Sequence, residues 1–318
     1  MNKPIISLLT ILCVVLLAMP SCKKDGSQSE ELNQLSYAGV TFGLKQGRSI
    51  KTELTDNGSG SVRILIDENE DDYICIWRNT DSTYNAKKLL VDYINNYGDD
   101  FTVVADPVVP GKYGRYDCYM ANYYVEYNGT RMYGVGYVFD HKDRGGVFIL
   151  KSSYKSKEHL TDTFGEIEAS MIESDKVTNS ISYGGVSFDF PNDNWIIAAN
   201  EDEEVYTIDA ESPDEDVFTV FFYNYESDPR EALKENLKGI KEVWEENITT
   251  KPIRKKKFGK YDALSADYLV QDEDTDMYGE LYAFNTNGKS ISIMRDHYEQ
   301  RTKTKDPYRI IENSFTVK

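Results

Sequence analysis

The sequence predicts an α+β protein made of two tandem domains, each a sandwich in which a mostly antiparallel sheet is flanked by helices. Three observations predict this fold class: an internal repeat, helices at matching positions in both repeats, and strands joined by hairpin turns. The chain has 318 residues, which fits one to three domains. Its 24 Tyr and 13 Phe supply enough apolar surface for a substantial core.

The internal repeat rests on three short motifs that recur in the same order at nearly one offset. SYAGVTF at residues 36–42 recurs as SYGGVSF at 182–188, an offset of 146 residues. GKY at 111–113 recurs at 259–261, and MYG at 132–134 recurs at 277–279. Because both order and spacing are kept, we expect residues 35–177 and 178–318 to be two copies of one unit.

A helical pattern is also shared by the two repeats. In the second repeat, Asp228 can cap a helix whose first residue is Pro229, and apolar residues follow at spacings of four, three and four. The same spacings occur in the first repeat at an offset of 147 residues. The two sets are Leu233, Leu237, Ile240 and Trp244, and Ala86, Leu90, Tyr93 and Tyr97.

Strand signals surround the helix of the second repeat. Residues 217–225 form an aromatic and β-branched run, which is typical of a strand. Asn287 and Gly288 separate two further runs, 277–284 and 290–294, and predict a hairpin turn between them.

The first repeat has matching signals, and both repeats close on a helix. Residues 135–139 and 146–151 are the hairpin pair of the first repeat. The closing helix is expected to be long at 157–172 and short at 307–313. We therefore expect the helices of each unit to pack against a mostly antiparallel sheet.

The first 22 residues predict a secretory signal. Lys3 gives a basic start, and residues 5–18 form an apolar run that is shorter than the roughly 20 residues of a membrane-spanning helix. Ser21 and Cys22 then resemble the lipobox of bacterial lipoproteins, in the relaxed form of Bacteroidota-type bacteria. The resemblance implies a signal peptide at residues 1–21 and lipid attachment at Cys22, with a diacylglycerol thioether and an acyl (palmitate-type) chain.

The same resemblance implies a place in the cell. Residues 22–34 form a polar, flexible tether. We expect the protein in the cell envelope, anchored by lipid to a bacterial membrane, with the outer membrane as the expected one. The periplasmic and surface faces both stay open.

The second repeat resembles the PsbP-like fold. YGGVSFDFP at 183–191, with Trp195, is similar to its first strand, Pro and Trp, and IIENSF at 310–315 is similar to its last helix. The first repeat has GLKQ at 43–46 where the Pro and Trp would stand. The resemblance implies two tandem PsbP-like α/β/α sandwich domains, with binding or assembly roles and no catalytic centre.

Composition restricts the partners. The net charge of −18 disfavours nucleic acid and anionic lipid as ligands. Nucleophilic catalysis needs a base beside the nucleophile, and His141, His159 and His297 lie far apart in sequence. We therefore expect no enzyme, no cofactor and no catalytic residues, with an envelope enzyme as the alternative.

Acidic runs are the remaining metal candidates. DEDTD at 272–276 begins like a calcium loop, but Met277 and Ala283 stand where Gly and Glu are needed. Solvated loops explain this segment and the acidic runs at 67–72 and 201–204 better than calcium binding does. No metal site is expected, and a weak calcium-binding module stays an alternative.

Two further features have open interpretations. RKKK at 254–257 could dock an acidic partner, but protection of an edge strand explains it better. Cys75 and Cys118 could pair in an oxidising compartment. Their expected counterparts in the second repeat are Phe222 and the segment 263–266, which are apolar, so we expect two buried thiols instead.

The functional prediction rests on a difference between the repeats. Residues 116–137 hold seven tyrosines and form a hairpin that is three residues longer between its GKY and MYG motifs than the hairpin of the second repeat. Packing under a helix explains most of these tyrosines, but a ligand or glycan groove is the alternative. We expect a non-catalytic binder of an envelope protein, glycan or small ligand. Its site would lie on the first repeat or between the repeats, with Tyr124 and Tyr127 as candidate ligand-binding residues.

Overall fold

The computed structural model describes residues 33–37, 39–54, 62–66, 72–79, 85–98, 100–141, 145–160, 164–173, 178–191, 195–202, 205–214, 216–244, 247–271, 276–297 and 308–318. The signal, Cys22 and the tether lie outside these residues, as do the loops at 67–71 and 272–275. Within them, no helix has the length and apolar character needed to cross a membrane.

The first half of the chain, residues 33–173, is built mainly from strands. These are β1 Asn33–Tyr37, β2 Val40–Leu44, β3 Ile50–Leu54, β4 Val62–Ile66, β5 Asp72–Asn79, β6 Thr102–Ala105, β7 Val109–Tyr113, β8 Tyr116–Tyr127, β9 Thr130–His141, β10 Gly145–Ser153 and β11 Ile172–Glu173. Helix α1 is Ala86–Asn95, helix α2 is Gly165–Ser170, and a 3₁₀ turn covers Glu158–Leu160. The long closing helix expected at 157–172 is therefore wrong, since only α2 and this 3₁₀ turn are helical there.

The second half, residues 178–318, repeats this order of elements. Its strands are β12 Asn179–Tyr183, β13 Val186–Phe190, β14 Ile196–Asp202, β15 Val205–Glu211, β16 Val217–Tyr223, β17 Ile248–Thr250, β18 Arg254–Phe258, β19 Tyr261–Gln271, β20 Asp276–Thr286, β21 Lys289–His297 and β22 Thr316–Val317. Helix α3 is Pro229–Trp244 and helix α4 is Arg309–Ser314. The hairpin turn is formed at Asn287 and Gly288, both with positive φ.

The strands of the two halves share two antiparallel sheets. A six-stranded sheet has the order β11-β2-β1-β12-β13-β22. The main sheet has sixteen strands, and its central path is β17-β19-β20-β21-β16-β15-β14-β3-β4-β5-β10-β9-β8-β6. In addition, β18 pairs with β19 and β7 pairs with β8.

The halves meet about an approximate two-fold axis. In the six-stranded sheet, Leu35 on β1 pairs with its own counterpart, Ile181 on β12. In the main sheet, Lys51 on β3 pairs with its counterpart Ala198 on β14. Equivalent residues pair with each other at both joints, so the halves are arranged like the subunits of a two-fold dimer.

The predicted fold class, α/β/α sandwich domains flanked by helices, is wrong. The protein is mostly antiparallel β, and the inner face of the main sheet is covered by the six-stranded sheet. The first hairpin of each half, β1–β2 and β12–β13, leaves the main sheet and pairs with its equivalent across the joint. Among the described helices, α1 and α3 cover the outer face of the main sheet, whereas α2 and α4 have six residues each.

The buried apolar side chains of the described residues form three clusters. The largest lies between the two sheets and includes Phe42, Ile76, Phe188, Val220 and Phe222. Two smaller clusters lie under α1, around Leu90, and under α3, around Leu233.

The cysteines lie in different parts of this core. Cys75 is buried under α1, and Cys118 lies between the sheets, so the two thiols do not form a bridge. The register of the strands makes Thr219 the counterpart of Cys75, because Cys75 pairs with Leu150 and Thr219 pairs with Met294. The expected counterpart Phe222 is therefore wrong by three residues, because loops of unequal length change the offset along the chain.

Candidate binding surface

Strand β8 places the two tyrosines selected from the sequence on opposite faces of the main sheet. Tyr124 lies opposite Tyr133 on β9, and the guanidinium of Arg131 is 4.3 Å from the centre of its ring. Tyr127 is two residues beyond Val125, which packs under α1, so Tyr127 lies on the α1 side. The structure therefore does not bring Tyr124 and Tyr127 into one site.

Most other tyrosines of this hairpin are packing residues. Tyr116 stacks on Phe139 with ring centroids 4.9 Å apart, and Tyr137 packs on the buried Tyr113 at 5.0 Å. Tyr123 is buried under α1. Packing therefore explains these three side chains.

A continuous chain of aromatic rings runs from the core under α1 to the surface. Ring centroids are separated by 4.8 Å between Phe148 and Tyr93, 5.4 Å between Tyr93 and Tyr97, and 6.3 Å between Tyr97 and Phe101. The last step, 5.0 Å, joins Phe101 to Tyr127. These two exposed rings are thereby supported from below by a packed layer.

Hydroxyl groups tie this layer together. The hydroxyls of Tyr93 and Tyr97 are 3.0 Å apart, and those of Tyr97 and Tyr123 are 3.2 Å apart. Burial raises the pKa of all three phenols above the ordinary value of 10.0. The phenols are neutral at physiological pH, so their hydrogen bonds position the rings and do not move protons.

The surface continues along an edge of the main sheet. Among the described residues β6 pairs with β8 alone, and Val104 at its centre is 45% exposed. Phe101 is 40% exposed, Val109 on β7 is 47% exposed, and Tyr127 is 49% exposed. We call these four residues, Phe101, Val104, Val109 and Tyr127, the apolar edge.

The equivalent edge of the second half is polar and basic. The register makes Thr249 on β17 the counterpart of Val104 and Arg254 on β18 the counterpart of Val109. Arg254 donates to Asp267 at 2.8 and 2.9 Å, and Lys256 donates to Glu280 at 2.6 Å. Basic side chains on an edge strand discourage further strand pairing, as the sequence led us to expect for RKKK.

A pocket of about 280 Å³ lies on the second half, outside the places where a site was expected. Its lining includes Lys251, Asp267, Glu280 and His297. Both carboxylates already accept hydrogen bonds from bases on β18. The His297 imidazole lies 3.9 Å from Asp216. The pocket is thus lined by ion pairs that hold the edge strands to the sheet.

A shallow polar groove lies between the halves, on the outer face of the six-stranded sheet. Its volume is about 250 Å³, and Gln34, Ser180, Ser182, Ser187 and Asp189 line it. Small hydroxyl side chains alternate here with core residues, as expected for strands with one buried face. Among the described residues that line the groove, Phe188 alone is aromatic, and its ring packs inward.

The most conspicuous buried charges occur at equivalent positions in both halves. Lys151 donates to Glu168 on α2 at 3.1 Å, and Arg295 donates to Glu312 on α4 at 2.8 Å. Each glutamate also accepts from a turn glycine, Gly114 or Gly259 in the two halves. Because the arrangement occurs twice, it belongs to what the fold requires.

The histidines are not brought together. His159 lies 3.0 Å from Asp72 in the first half, and His297 lies in the second-half pocket. His141 ends β9, and its side chain lies outside the described part. Across the described ranges, no group of three or more His, Cys, Asp or Glu side chains could hold a metal ion.

Phe101 and Val104 were missed by the sequence interpretation. Each is a single apolar residue in a short segment with no periodic pattern. The local sequence therefore does not distinguish an exposed residue at this position from a buried core residue. The repeat as aligned from the sequence did not reveal the difference, because matching the two GKY motifs puts Lys257 opposite Val109.

The strand register corrects that alignment. It makes Gly114, not Gly111, the counterpart of Gly259 at the turn before the long strand. The hairpins of the two halves are therefore equal in length up to their MYG motifs, and the expected three-residue difference is wrong.

Comparison with known proteins gives structural neighbours only. No family model and no curated protein matches this sequence. Among solved structures, a Bacteroides thetaiotaomicron protein has 16% identity and a TM-score of 0.30, covering 42% of this chain and 45% of its own. The chain thus spans less than half of that protein.

In two other matches, almost the whole of the neighbour's chain is aligned with this one. Cyanobacterial PsbP from Synechocystis has 13% identity and a TM-score of 0.36, and covers 49% of this chain and 98% of its own. An immunity protein of the type VI secretion system, TplEi from Pseudomonas aeruginosa in complex with an "L" peptide, has 8% identity and a TM-score of 0.37. It covers 91% of this chain and 99% of its own. We draw nothing about function from similarities of this size.

Proposed function

We propose that this protein is a lipid-anchored protein of a bacterial envelope that binds another protein through the apolar edge and does not catalyse a reaction. The observation that supports this proposal is the difference between two equivalent edges within one chain. Val104 and Val109 are exposed in the first half, where the second half has Thr249 and Arg254. Exposed apolar side chains at an unprotected edge are typical of recognition surfaces.

The non-catalytic part of the proposal is supported by what the buried polar groups do. Lys151 and Arg295 each hold a closing helix against the sheet through Glu168 and Glu312. Asp267 and Glu280, the acids of the second-half pocket, hold the edge strand β18. These groups have structural partners, which is a sufficient reason for their presence.

The envelope location is supported by the sequence. The signal at residues 1–21 and the lipobox-like Cys22 would place the folded part at a membrane, joined by a tether of about a dozen residues. We also propose that residues 35–177 and 178–318 are two copies of a PsbP-like unit, supported by the recurring order of elements.

Recovery of a partner from solubilised envelope tests the proposal. The double variant Phe101→Ser/Tyr127→Ser should lose a partner that the wild-type protein retains, with an unchanged circular dichroism spectrum. The control Thr249→Ser/Thr250→Ser changes exposed or half-exposed residues of the equivalent edge and should retain it.

Three results would contradict the proposal. Equal recovery by the Phe101/Tyr127 variant would exclude the apolar edge as the binding surface. Turnover of an envelope substrate that is abolished by one polar substitution would establish an enzyme instead. Binding that requires added calcium would favour the alternative of a calcium-binding module.

A further inference from the structure

Strand β6 offers an unoccupied pairing edge at the centre of the apolar edge. All four residues of β6 are exposed or half-exposed, and in the described part of the chain its other neighbour position is empty. Alternate residues of an edge strand point their backbone N–H and C=O groups away from the strand already paired, and a further strand can use these groups. An added strand would lie about 4.8 Å from β6.

Prolines limit the length of this edge. Pro107 follows β6, and Pro110 lies within β7. Proline has no N–H to donate, so pairing cannot continue past residue 106. The available edge is therefore Thr102–Ala105, enough for a short extended segment.

Apolar groups lie on both faces of this short edge. Phe101 contacts Tyr97 and Tyr127 on the α1 side. Val104 lies opposite Tyr124 and therefore points to the other face. A strand added here would place alternate side chains against these two faces, which is how strand addition acquires specificity.

The charges around the edge restrict the partner. The chain carries a net charge of −18, and exposed Asp100 and Asp106 stand at the two ends of β6. Lys157 is the one base within 4 Å of Asp106 among the described ion pairs. A segment with basic ends is attracted here, whereas a second copy of this acidic chain is repelled.

We infer that β6 binds an extended segment of a partner protein by strand addition, and that this segment has an apolar centre and basic flanks. The inference deepens the proposed function and rests on it. Phe101 and Val104 would contact the apolar centre, and Asp100 and Asp106 the basic flanks. The second-half edge would not bind such a segment, because Arg254, Lys255 and Lys257 are exposed there.

Fluorescence anisotropy with synthetic peptides tests the inference on the full-length mature protein in detergent. The probe is a fluorescein-labelled KKVTVTVKK peptide. Three further probes are used. Two are versions of the same peptide, each methylated on one of the two sets of alternate backbone nitrogens, and the third is the acidic peptide EEVTVTVEE. We expect the unmethylated basic peptide to bind. The acidic peptide should bind at least roughly tenfold more weakly. One of the two methylated peptides should also bind at least roughly tenfold more weakly, because it has lost the N–H donors that pair with β6.

Matched variants locate the site. Val104→Lys should weaken binding of the basic peptide at least roughly tenfold, whereas Thr249→Lys, which adds the same charge to the equivalent position, should leave it unchanged. Val104→Thr, a substitution of similar shape, should give a smaller loss in the same direction and guards against misfolding. Equal effects at positions 104 and 249 would overturn the inference.

Other outcomes would also overturn it. Equal binding of both backbone-methylated peptides and the unmethylated peptide would show attraction without strand pairing. A concentration-dependent dimer that Val104→Lys dissociates would show that a second copy occupies the edge. If the Phe101/Tyr127 variant loses its envelope partner but no peptide binds, the proposed function stands and strand addition is wrong.

Discussion

Tyr37 and Tyr183 make reciprocal hydrogen bonds across the joint between the halves. The Tyr37 hydroxyl donates to the carbonyl oxygen of Trp195 at 2.5 Å, and the Tyr183 hydroxyl donates to that of Arg48 at 2.6 Å. The two acceptors are equivalent residues, since Lys51 and Ala198, three positions later, are counterparts. Each half thus fixes the other by the same contact, and burial raises the pKa of Tyr37 to about 12.

Removing either hydroxyl should weaken the joint. Tyr37→Phe and Tyr183→Phe should each lower the free energy of unfolding by about 1–3 kcal/mol, because a buried carbonyl loses its partner. The two losses should be similar, since the contacts are equivalent. Urea unfolding measures them, with Tyr154→Phe, an exposed residue, as the control. A loss at one tyrosine alone would contradict the equivalence.

Two strand glycines should not tolerate a side chain. A Cβ at Gly279 would overlap the ring of Tyr268, and a Cβ at Gly134 would overlap the ring of Tyr123. Alanine at either position should lower the free energy of unfolding by about 1–3 kcal/mol. Gly165→Ala, where a Cβ meets nothing within 4 Å, should be neutral or slightly stabilising in thermal unfolding.

Asp296 should make stability fall as pH rises. Burial raises the pKa of its carboxyl from 3.8 to about 7, while a hydrogen bond from Tyr268 acts in the opposite direction. Its second oxygen has no hydrogen-bond partner among the described residues. The folded state keeps the proton that the unfolded state loses near pH 4, so this group lowers stability between about pH 4 and pH 7.

The isosteric Asp296→Asn variant isolates this effect. The free energy of unfolding of the variant minus that of the wild type should increase between pH 4 and pH 7, because only the wild type loses stability there. The increase should be a few kcal/mol at most. Above pH 7 the difference should be constant. Chemical unfolding at several pH values measures it, and a difference independent of pH would show that Asp296 is not protonated in the folded protein. Asp209, with a pKa raised to about 6, contributes equally to both proteins.

Lipid attachment at Cys22 is a separate prediction. Cys22→Ala should leave the protein in the aqueous phase after detergent phase separation or stop its processing, because the anchoring thioether cannot form. Residence of the variant in the detergent phase would contradict the lipoprotein prediction.

The sequence predicted local elements better than their assembly. The hairpin at Asn287 and Gly288 and helix α3 follow from turn chemistry and periodicity within short segments. The joint could not be predicted, because Leu35 and Ile181 resemble any buried strand residues and nothing local says that they pair with each other. That pairing removes the first hairpins from the main sheet and changes the fold class.

The candidate surface was located only approximately. Tyr127 was found from the density of tyrosines, but the same density included Tyr116, Tyr123 and Tyr137, which pack. Phe101 acquires its place beside Tyr127 only through the pairing of β6 with β8. Exposure at a sheet edge depends on which strand has no neighbour, and that is a property of the whole sheet.

Photo-crosslinking in living cells tests the central claim most directly. A benzophenone amino acid would replace Val104 in one strain and its counterpart Thr249 in another. We predict one discrete protein adduct from position 104 that disappears in the presence of Phe101→Ser/Tyr127→Ser, and no such adduct from position 249. The same adduct from both positions, or from neither, would contradict a partner-binding role for the apolar edge.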